Sequence, residues 1–228
     1  MGKPIRKLQG KRASRPVAAP FSRRLVIMVK EPHAGRVKSR LGREIGVVAA
    51  TSFYRHAASA VVRRLSATQR WQTWLAVTPD SACASRFWSR HVPRRPQGGG
   101  DLGARMQGIM DWPGRGPVVI VGTDIPAIEQ HHIWQAFVAL GGADAAFGPT
   151  PDGGYWLVGM RRSPRVPQAF GRVRWSSAHA LADTIANLDG CRLARAAHLS
   201  DVDDAAAWRA VRGWSGRCVL PVATCCER

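Results

Sequence analysis

The stretch that decides the fold is residues 25–41, which read LVIMVKEPHAGRVKSRL. Its first five residues form an uninterrupted apolar run with β-branched side chains, a pattern typical of a strand buried on both faces. Pro32 and Gly35 predict a loop after this strand, and the pattern from Ser39 onward predicts one amphipathic helix. The apolar face predicted for that helix comprises Leu41, Ile45, Val48, Ser52, Phe53, His56 and Ala60.

Apolar strands and helices continue to alternate along the rest of the chain. Further strands are predicted at 73–78, 117–121, 143–147 and 155–158, and helices at 102–110, 129–140, 177–188 and 205–212. This alternation builds βαβ units, so the sequence predicts an α/β domain of three layers with a mostly parallel central sheet. Because ligands of such sheets bind at the carboxyl ends of the strands, we expect functional residues in the loops that follow them.

The composition limits the class of protein. The chain has 228 residues, which suits one domain with tails, and its 45% hydrophobic content excludes wholesale disorder. No stretch approaches the roughly 18 uninterrupted apolar residues of a membrane span, which predicts a soluble protein. The 34 Lys and Arg residues against 15 Asp and Glu residues give a net charge of +19. That surplus favours polyanionic partners such as nucleic acid, anionic lipid or nucleotide phosphates.

The two ends of the chain are predicted to lie outside the domain. Residues 1–24 contain eight basic residues, three prolines and no acidic residue, which predicts a disordered basic tail. The domain is then expected at residues 25–212, with a C-terminal tail at residues 213–228. A secretory signal is excluded because its apolar run of about 7–15 residues is missing, whereas an organellar transit peptide and a nucleic-acid-binding arm stay as alternatives. The five cysteines form no CxxC pair, which favours a cytoplasmic location.

The loop after the first strand concentrates positive charge. Its four cations within eleven residues are Lys30, Arg36, Lys38 and Arg40. The loop leads into a helix N-terminus, whose free N–H groups and dipole favour anions, so it predicts a cradle for a phosphate or diphosphate. A solvated basic loop is the alternative. The glycine and lysine spacing of a P-loop is absent, which disfavours a P-loop ATPase.

Residues 98–103, GGGDLG, match the glycine spacing of a dinucleotide fingerprint. The buried strand that must precede such a fingerprint is missing, so we reject the Rossmann interpretation. Two interpretations stay open for this segment: a loop that closes over a ligand, or a helix start that Asp101 caps.

Residues 118–126, VVIVGTDIP, place a carboxylate just beyond a buried strand. Mg²⁺ and Mn²⁺ prefer one or two carboxylates together with phosphate oxygens, which Asp124 beside a diphosphate cradle would supply. The alternative is that Asp124 caps the following turn. A second acidic group, DVDD at residues 201–204, would either supply another metal ligand or cap the helix predicted to follow it.

Residues 149–155, PTPDGGY, combine a carboxylate with two glycines before a strand. Asp152 is therefore a candidate general base, and an ordinary Asp-Gly turn, which requires the same residue types, is the alternative. The candidate substrate contacts are Gly153, Gly154, Tyr155 and Trp175.

Six segments in this order resemble the DUF2064 family, from about Leu25 to about Trp208. They are LVIMVKEPHAGRVKSRL, PQGGGDLGARM, VVIVGTDIP, FGPTPDGGYWLVG, VRWSS and LSDVDDAAAW. This bacterial family, also called transferase 1 associated with radical-SAM or selenodomain proteins, is assigned to the nucleotide-diphospho-sugar transferase superfamily. The resemblance implies a GT-A fold whose N-terminal half binds a nucleotide.

The resemblance also implies roles for individual residues. Asp124 would take the role of the metal-binding aspartate of the superfamily's DxD motif, with Asp203 as second ligand and Mg²⁺ or Mn²⁺ as the ion. The chain departs from the family pattern at 123–125, which supplies one Asp rather than two, at 175–177 (WSS for WST) and at 203–207 (DDAAA for DTPED). The candidate nucleotide and phosphate contacts are Lys30, Arg36, Lys38, Arg40, Asp101, Arg105 and Thr123.

These features lead to one main hypothesis and two alternatives. The main hypothesis is a metal-dependent transferase that moves a sugar from a nucleotide-diphospho-sugar to a small-molecule acceptor. The first alternative is a nucleotidyltransferase that uses an NTP, because the basic loop also resembles the phospholactate guanylyltransferase and molybdenum-cofactor nucleotidyltransferase groups. The second is a protein that binds nucleic acid through residues 1–24.

Overall fold

A computed structural model describes residues 21–211. The strands are β1 Arg24–Lys30, β2 Gln72–Thr78, β3 Arg94–Pro96, β4 Val118–Val121, β5 Ala145–Pro149, β6 Tyr155–Met160 and β7 Leu193–Arg195. The helices are α1 Ser39–Ile45, α2 Val47–Ser66, α3 Leu102–Met110, α4 Gln130–Ala139, α5 Ala180–Ala186 and α6 Ala205–Ala210, with a 3-10 turn at Asp80–Ala84. Within residues 21–211 no helix is long and apolar enough to cross a membrane.

The strands form one seven-stranded sheet in the order β3-β2-β1-β4-β6-β5-β7. Strand β6 runs antiparallel to both β4 and β5, whereas all other neighbouring pairs are parallel. The carboxyl ends of β1, β2 and β4 therefore lie at one edge, and the reversed β6 brings its amino end to the same edge. The predicted α/β class with a mostly parallel sheet is confirmed.

Helices cover both faces of this sheet. On one face α2 and α4 bury residues such as Val61 and Phe137 against Ile27 and Leu75. On the other face α3 packs Met106 and Met110 against the sheet, and side chains of α5 pack against the same cluster. Strands buried on both faces need apolar side chains at every position, which explains the uninterrupted apolar runs in the sequence.

The single helix predicted from Ser39 onward is wrong: the chain breaks at Gly46, where φ is +89° and a new helix begins. The break changes the phase of the second helix, so most of the predicted apolar face is wrong beyond it, although Ala60 is buried as predicted. Val48 is 80% exposed, and Tyr54 is buried instead. A positive φ is accessible to glycine at no steric cost, which is why this break falls at residue 46.

The boundary of the predicted N-terminal tail also differs. Strand β1 begins at Arg24, and the Ser22 backbone N–H donates to the Arg115 carbonyl at 3.1 Å, so residues 21–24 pair with the domain. The tail was predicted from its charged side chains and prolines. Main-chain hydrogen bonds do not depend on side-chain polarity, so the composition did not reveal that residues 21–24 pair with the domain. The rest of the two predicted tails, together with residue 212, lies outside the described residues.

Candidate active site

A cavity of about 780 Å³ opens at the edge of the sheet where β1 and β4 end. Segments far apart in the sequence meet there: the basic loop, the β4 exit, the turn before β6, and the acidic segment before α6. The predicted site residues that line the cavity are Lys30, Arg36, Lys38, Arg40, Thr123, Asp124, Asp152, Gly154, Tyr155, Trp175 and Asp203.

Lys38 lies between the two predicted metal ligands. Its Nζ is 2.7 Å from Oδ1 of Asp124 and 2.5 Å from Oδ1 of Asp203. The Lys38 side chain is 6% exposed, whereas the carboxylates of Asp124 and Asp203 are 55% and 45% exposed. The ammonium is thus buried, whereas both carboxylates are about half exposed where they line the cavity.

Main-chain contacts bring the two carboxylates together. Asp124 follows β4, and its carbonyl accepts a hydrogen bond of 3.1 Å from the Val202 backbone N–H. Val202 is 3% exposed and anchors the acidic segment to the core. Oε2 of Glu44 accepts from the Ala205 backbone N–H at 3.0 Å, which ties the start of α6 to α1. Asp203 is thereby held beside Asp124.

The surroundings of Lys38 favour its charged form. Burial alone would lower its pKa, but the charges and hydrogen bonds of Asp124 and Asp203 outweigh burial and raise the pKa above its ordinary value. Lys38 also adopts a left-handed backbone conformation, with φ of 46° and ψ of 49°, where the loop enters α1. This turn directs the side chain toward the β4 exit rather than along the helix surface.

The carboxylates of Asp124 and Asp203 supply the oxygen ligands that a hard divalent ion prefers, but they supply only part of its ligand set. Asp124 and Asp203 each present oxygen ligands, and Mg²⁺ commonly takes one or two carboxylates with the remaining positions filled by water and phosphate oxygens. No cluster of three or more Asp, Glu, His or Cys residues with metal-binding geometry occurs within residues 21–211. The residues present would therefore hold an ion only together with phosphate oxygens of a substrate.

Tyr54 and Gln97 were missed by the sequence reasoning although both line the cavity. The Tyr54 hydroxyl donates to the Lys30 carbonyl and accepts from the Lys30 N–H, both at 2.9 Å, and so holds the exit of β1. Burial raises the pKa of Tyr54 to about 12. Nε2 of Gln97, which is 8% exposed, donates to the carbonyls of Val29 and Ala76. No local pattern pointed to Gln97, because the short strand β3 that precedes it carries too little periodicity to be predicted.

The turn that contains Asp152 is built by that residue itself. Its Oδ1 accepts from the Thr150 hydroxyl at 2.5 Å and from the Gly154 backbone N–H at 3.0 Å. Both hydrogen bonds lower the pKa of Asp152, and the bond from Thr150 has the larger effect. Gly153 has φ of +81°, and a Cβ there would lie 2.2 Å from the Ala178 carbonyl oxygen, so this position requires glycine. The turn interpretation of this motif thus holds, while its carboxylate still faces the cavity.

Aromatic residues form the opposite wall of the cavity. The rings of Tyr155 and Trp175 lie 6.5 Å apart at an interplanar angle of 68°. Burial raises the pKa of Tyr155, whose hydroxyl is 3.3 Å from Oγ1 of Thr184. The indole Nε1 of Trp175 is buried, with no hydrogen-bond partner among the described residues. This wall offers flat apolar surface to the cavity.

The structure does not bring Asp101, Arg105 or Gly153 into the lining of the cavity. Asp101 caps α3 by accepting a hydrogen bond from the Ala104 backbone N–H at 2.8 Å, which is the helix-capping role that the sequence left open for this residue. Nε of Arg105 donates to the Gly100 carbonyl at 3.1 Å. Asp204 caps α6 by accepting a hydrogen bond from the Ala207 backbone N–H. In the acidic segment Asp204 is therefore the helix cap, and Asp203 is the residue that lines the cavity.

Comparison with known proteins places this fold among those of nucleotidyl- and sugar-transferases. The DUF2064 family model, described as "Uncharacterized protein conserved in bacteria", matches residues 61–177. The chain belongs to the DUF2064 family, as the six segments predicted. No curated protein matches the sequence significantly.

Solved structures with the same fold include proteins from three organisms. A crystal structure from Desulfovibrio desulfuricans G20, described as a "putative nucleotide-diphospho-sugar transferase", is 28% identical with a TM-score of 0.72, over 81% of this chain and 84% of that chain. The 4-diphosphocytidyl-2C-methyl-D-erythritol synthase from Anaerococcus prevotii is 7% identical with a TM-score of 0.56, over 86% and 99% of the two chains. A nucleotidyl transferase from Methanothermobacter thermautotrophicus is 13% identical with a TM-score of 0.56, over 85% and 97%. The last two show likeness of fold alone.

Proposed function

We propose that this protein is a metal-dependent transferase that moves a sugar from a nucleotide-diphospho-sugar to a small-molecule acceptor. The observation that carries the proposal is the placement of Asp124 and Asp203 around one buried ammonium, at the mouth of a cavity with a basic rim. Its similarity to the Desulfovibrio desulfuricans protein, whose description names that class of transferase, supports it.

The charges of the site suit a diphosphate. The exposed side chains of Arg36 and Arg40 and the end of β1 at Lys30 offer donors to phosphate oxygens. Asp124 and Asp203 would hold Mg²⁺ or Mn²⁺, which supplies neutralisation of the charge that develops on the departing diphosphate. The Lys38 ammonium lies beside both carboxylates and would add positive charge near these oxygens.

The remaining residues are assigned to the acceptor. Its hydroxyl oxygen forms a bond to the anomeric carbon of the sugar while the bond from that carbon to the diphosphate oxygen breaks. The nucleoside diphosphate leaves with the bonding electrons, and the hydroxyl proton passes to a carboxylate, for which Asp152 is the candidate. Tyr155 and Trp175 offer the flat surface on which a ring of the acceptor or donor sugar packs.

Nucleotidyl transfer is the second candidate. Besides Lys38, which pairs with Asp124 and Asp203, the basic segment has three more cations, Lys30, Arg36 and Arg40, and these suit the larger charge of a triphosphate. In this reaction a phosphate-bearing molecule attacks the α-phosphorus and pyrophosphate leaves. Nucleic-acid binding through residues 1–24 rests on a segment that lies almost wholly outside the described residues, and it stays a prediction, as does the cytoplasmic location.

A ligand screen with a matched pair of variants tests the proposal. We expect nucleotide-sugars with Mn²⁺ to raise the melting temperature by about 5 °C or more at about one hundred times Kd. Asp124→Asn should abolish this rise, while Asp189→Asn, which removes the same charge at an exposed position outside the cavity, should keep it. Release of free nucleoside diphosphate indicates sugar transfer, and release of pyrophosphate from an NTP indicates nucleotidyl transfer. No shift with any nucleotide, or equal shifts in both variants, would contradict the proposal.

A further inference from the structure

The cavity has two chemically different sides. Successive side chains of a strand point to opposite faces of a sheet, so each strand that ends at the cavity contributes to both sides. Val29 and Val121 belong to the core cluster under α2 and α4. Their neighbours Met28 and Ile120 lie on the α3 face, in contact with the other core cluster. All four residues line the cavity, which therefore extends across the edge of the sheet.

The charged groups of the lining lie toward the α2 face. Val37, between Arg36 and Lys38, is buried in the core cluster of that face, so the basic loop crosses it. Lys38 in turn reaches Asp124 and Asp203. The diphosphate and the ion of the proposed reaction therefore belong on this side of the cavity.

An apolar wall lies on the α3 side of the cavity and consists of Met28, Leu102, Tyr155 and Trp175. Met28, Tyr155 and Trp175 are partly buried against the core of that face, and Leu102 is 44% exposed. A Cβ at Gly103 would lie 2.9 Å from Cζ2 of Trp175, so the start of α3, which carries Leu102, packs directly on this ring. Exposed apolar surface that lines a cavity is typical of a ligand site.

The polar groups of this wall are engaged within the protein. Oγ1 of Thr184 donates to the Ala180 carbonyl at 2.7 Å, so the Tyr155 hydroxyl, 3.3 Å away, donates to Thr184 and turns toward α5. Oγ of Ser177 donates to the Arg174 carbonyl at 2.6 Å. A sugar ring or a nucleobase carries several polar atoms, each of which costs free energy when it is buried without a partner. A hydrocarbon group carries none and fits this wall better.

We propose that the apolar wall binds a hydrocarbon group of the acceptor, which is then an alcohol with an aromatic or aliphatic body. This inference rests on the proposed function. Asp152, the candidate proton acceptor, also lines the cavity and comes three residues before Tyr155. An alcohol whose hydroxyl lies at Asp152 has its remaining atoms beside Tyr155 and Trp175, and burial of these atoms favours binding in proportion to their apolar area.

Fluorescence titration of the full chain with N-phenyl-1-naphthylamine, an uncharged apolar dye, tests the wall. We expect Leu102→Gln to weaken dye binding about fivefold, because it removes part of the apolar contact area. The alcohol 2-phenylethanol should displace the dye, whereas glycerol at the same concentration should not. The matched control is Val138→Gln, at an apolar residue of α4 that is 59% exposed and outside the cavity lining, and it should bind the dye as the unchanged protein does. Equal affinity in the two variants, or failure of 2-phenylethanol to displace the dye, would overturn the inference.

A transfer assay separates this inference from the proposed function. The donor is a nucleotide-sugar that raises the melting temperature in the ligand screen with Mn²⁺. We expect 2-phenylethanol to increase the release of nucleoside diphosphate more than glycerol does, and Leu102→Gln to raise the KM for 2-phenylethanol about fivefold without changing the KM for the donor. Equal release with both alcohols would overturn the inference and leave the transferase in place. Dye binding that depends on Leu102, without a melting shift from any nucleotide, would overturn the transferase instead.

Discussion

Lys38 shows how one side chain can hold a site together before any substrate binds. Its ammonium neutralises two carboxylates that would otherwise repel each other across the mouth of the cavity. The same two oxygen donors are those proposed to hold a divalent ion. On that proposal, lysine and metal would compete for one pair of carboxylates.

This competition predicts the behaviour of Lys38→Met. Without the ammonium, Asp124 and Asp203 face each other unneutralised, and we expect a loss of about 1–2 kcal/mol in the free energy of unfolding, moderated because both carboxylates are half exposed. Mn²⁺ or Mg²⁺ should then stabilise the variant more than it stabilises the unchanged protein. Thermal and urea unfolding with and without the ion measure both effects.

The matched control is Lys30→Met, the same change at an exposed lysine at the end of β1. It should leave the free energy of unfolding within about 0.5 kcal/mol of the unchanged value. Equal ion-dependent stabilisation of Lys38→Met, Lys30→Met and the unchanged chain would mean that Lys38 and the ion do not share ligands.

At the scale of elements, the start of α4 depends on a histidine. Nδ1 of His132 accepts from the Glu129 backbone N–H at 3.0 Å, while the Glu129 side chain accepts from the backbone at His132 in return. This reciprocal pair is a capping box in which histidine takes the place of the usual Glu or Gln. Burial, and then the charge of His131, lower the pKa of His132 to about 4. The imidazole is therefore neutral in the folded protein.

The lowered pKa predicts a pH dependence of stability. The unfolded chain protonates His132 near its ordinary pKa of about 6.5, so between about pH 6.5 and about pH 4 the unfolded state binds more protons and stability falls as pH falls. We expect a contribution of about 1–2 kcal/mol after allowing for solvent screening of a half-buried ring. His132→Asn keeps an acceptor at the cap and should flatten the slope in urea unfolding, whereas His91→Asn, at an exposed loop position, should not. An unchanged slope in His132→Asn would refute this assignment.

At the scale of the whole molecule, the reversed strand β6 links the two halves of the site. It lies between β4 and β5, and Asp124 follows the end of β4. The turn that contains Asp152 directly precedes the amino end of β6. Leu157 in β6 is 0% exposed and belongs to the core between the sheet and α4. The position of the cavity wall at Tyr155 therefore depends on core packing as well as on the residues of that wall.

Core packing predicts unequal costs for two leucine truncations. Leu157→Ala should lower the free energy of unfolding by about 2–5 kcal/mol, because the cavity it leaves is fully enclosed. Leu193→Ala, in the edge strand β7 where the side chain is 39% exposed, should cost less than about 1 kcal/mol. Equilibrium urea unfolding of both variants measures the difference, and equal costs would contradict the position of β6 in the sheet.

The sequence by itself determined the class of fold and the family. Apolar runs such as residues 25–29 and 118–121 report burial on both faces directly, because every side chain of a central strand must be apolar. The short edge strands β3 and β7 escaped prediction, since strands of three residues carry too little periodicity to be read. The helix break escaped it because one glycine within a helical pattern does not reveal its own φ.

Only the tertiary structure decided how the site is joined. Lys38 and Asp203 are 165 residues apart, and no local pattern tells that the lysine reaches the acidic segment rather than solvent. The same holds for the apolar wall, which brings Met28, Leu102 and Trp175 together from distant parts of the chain. Periodicity and capping chemistry act over a few residues and can be read along the chain, whereas the contacts of a charged group depend on which distant segments the sheet order brings beside it.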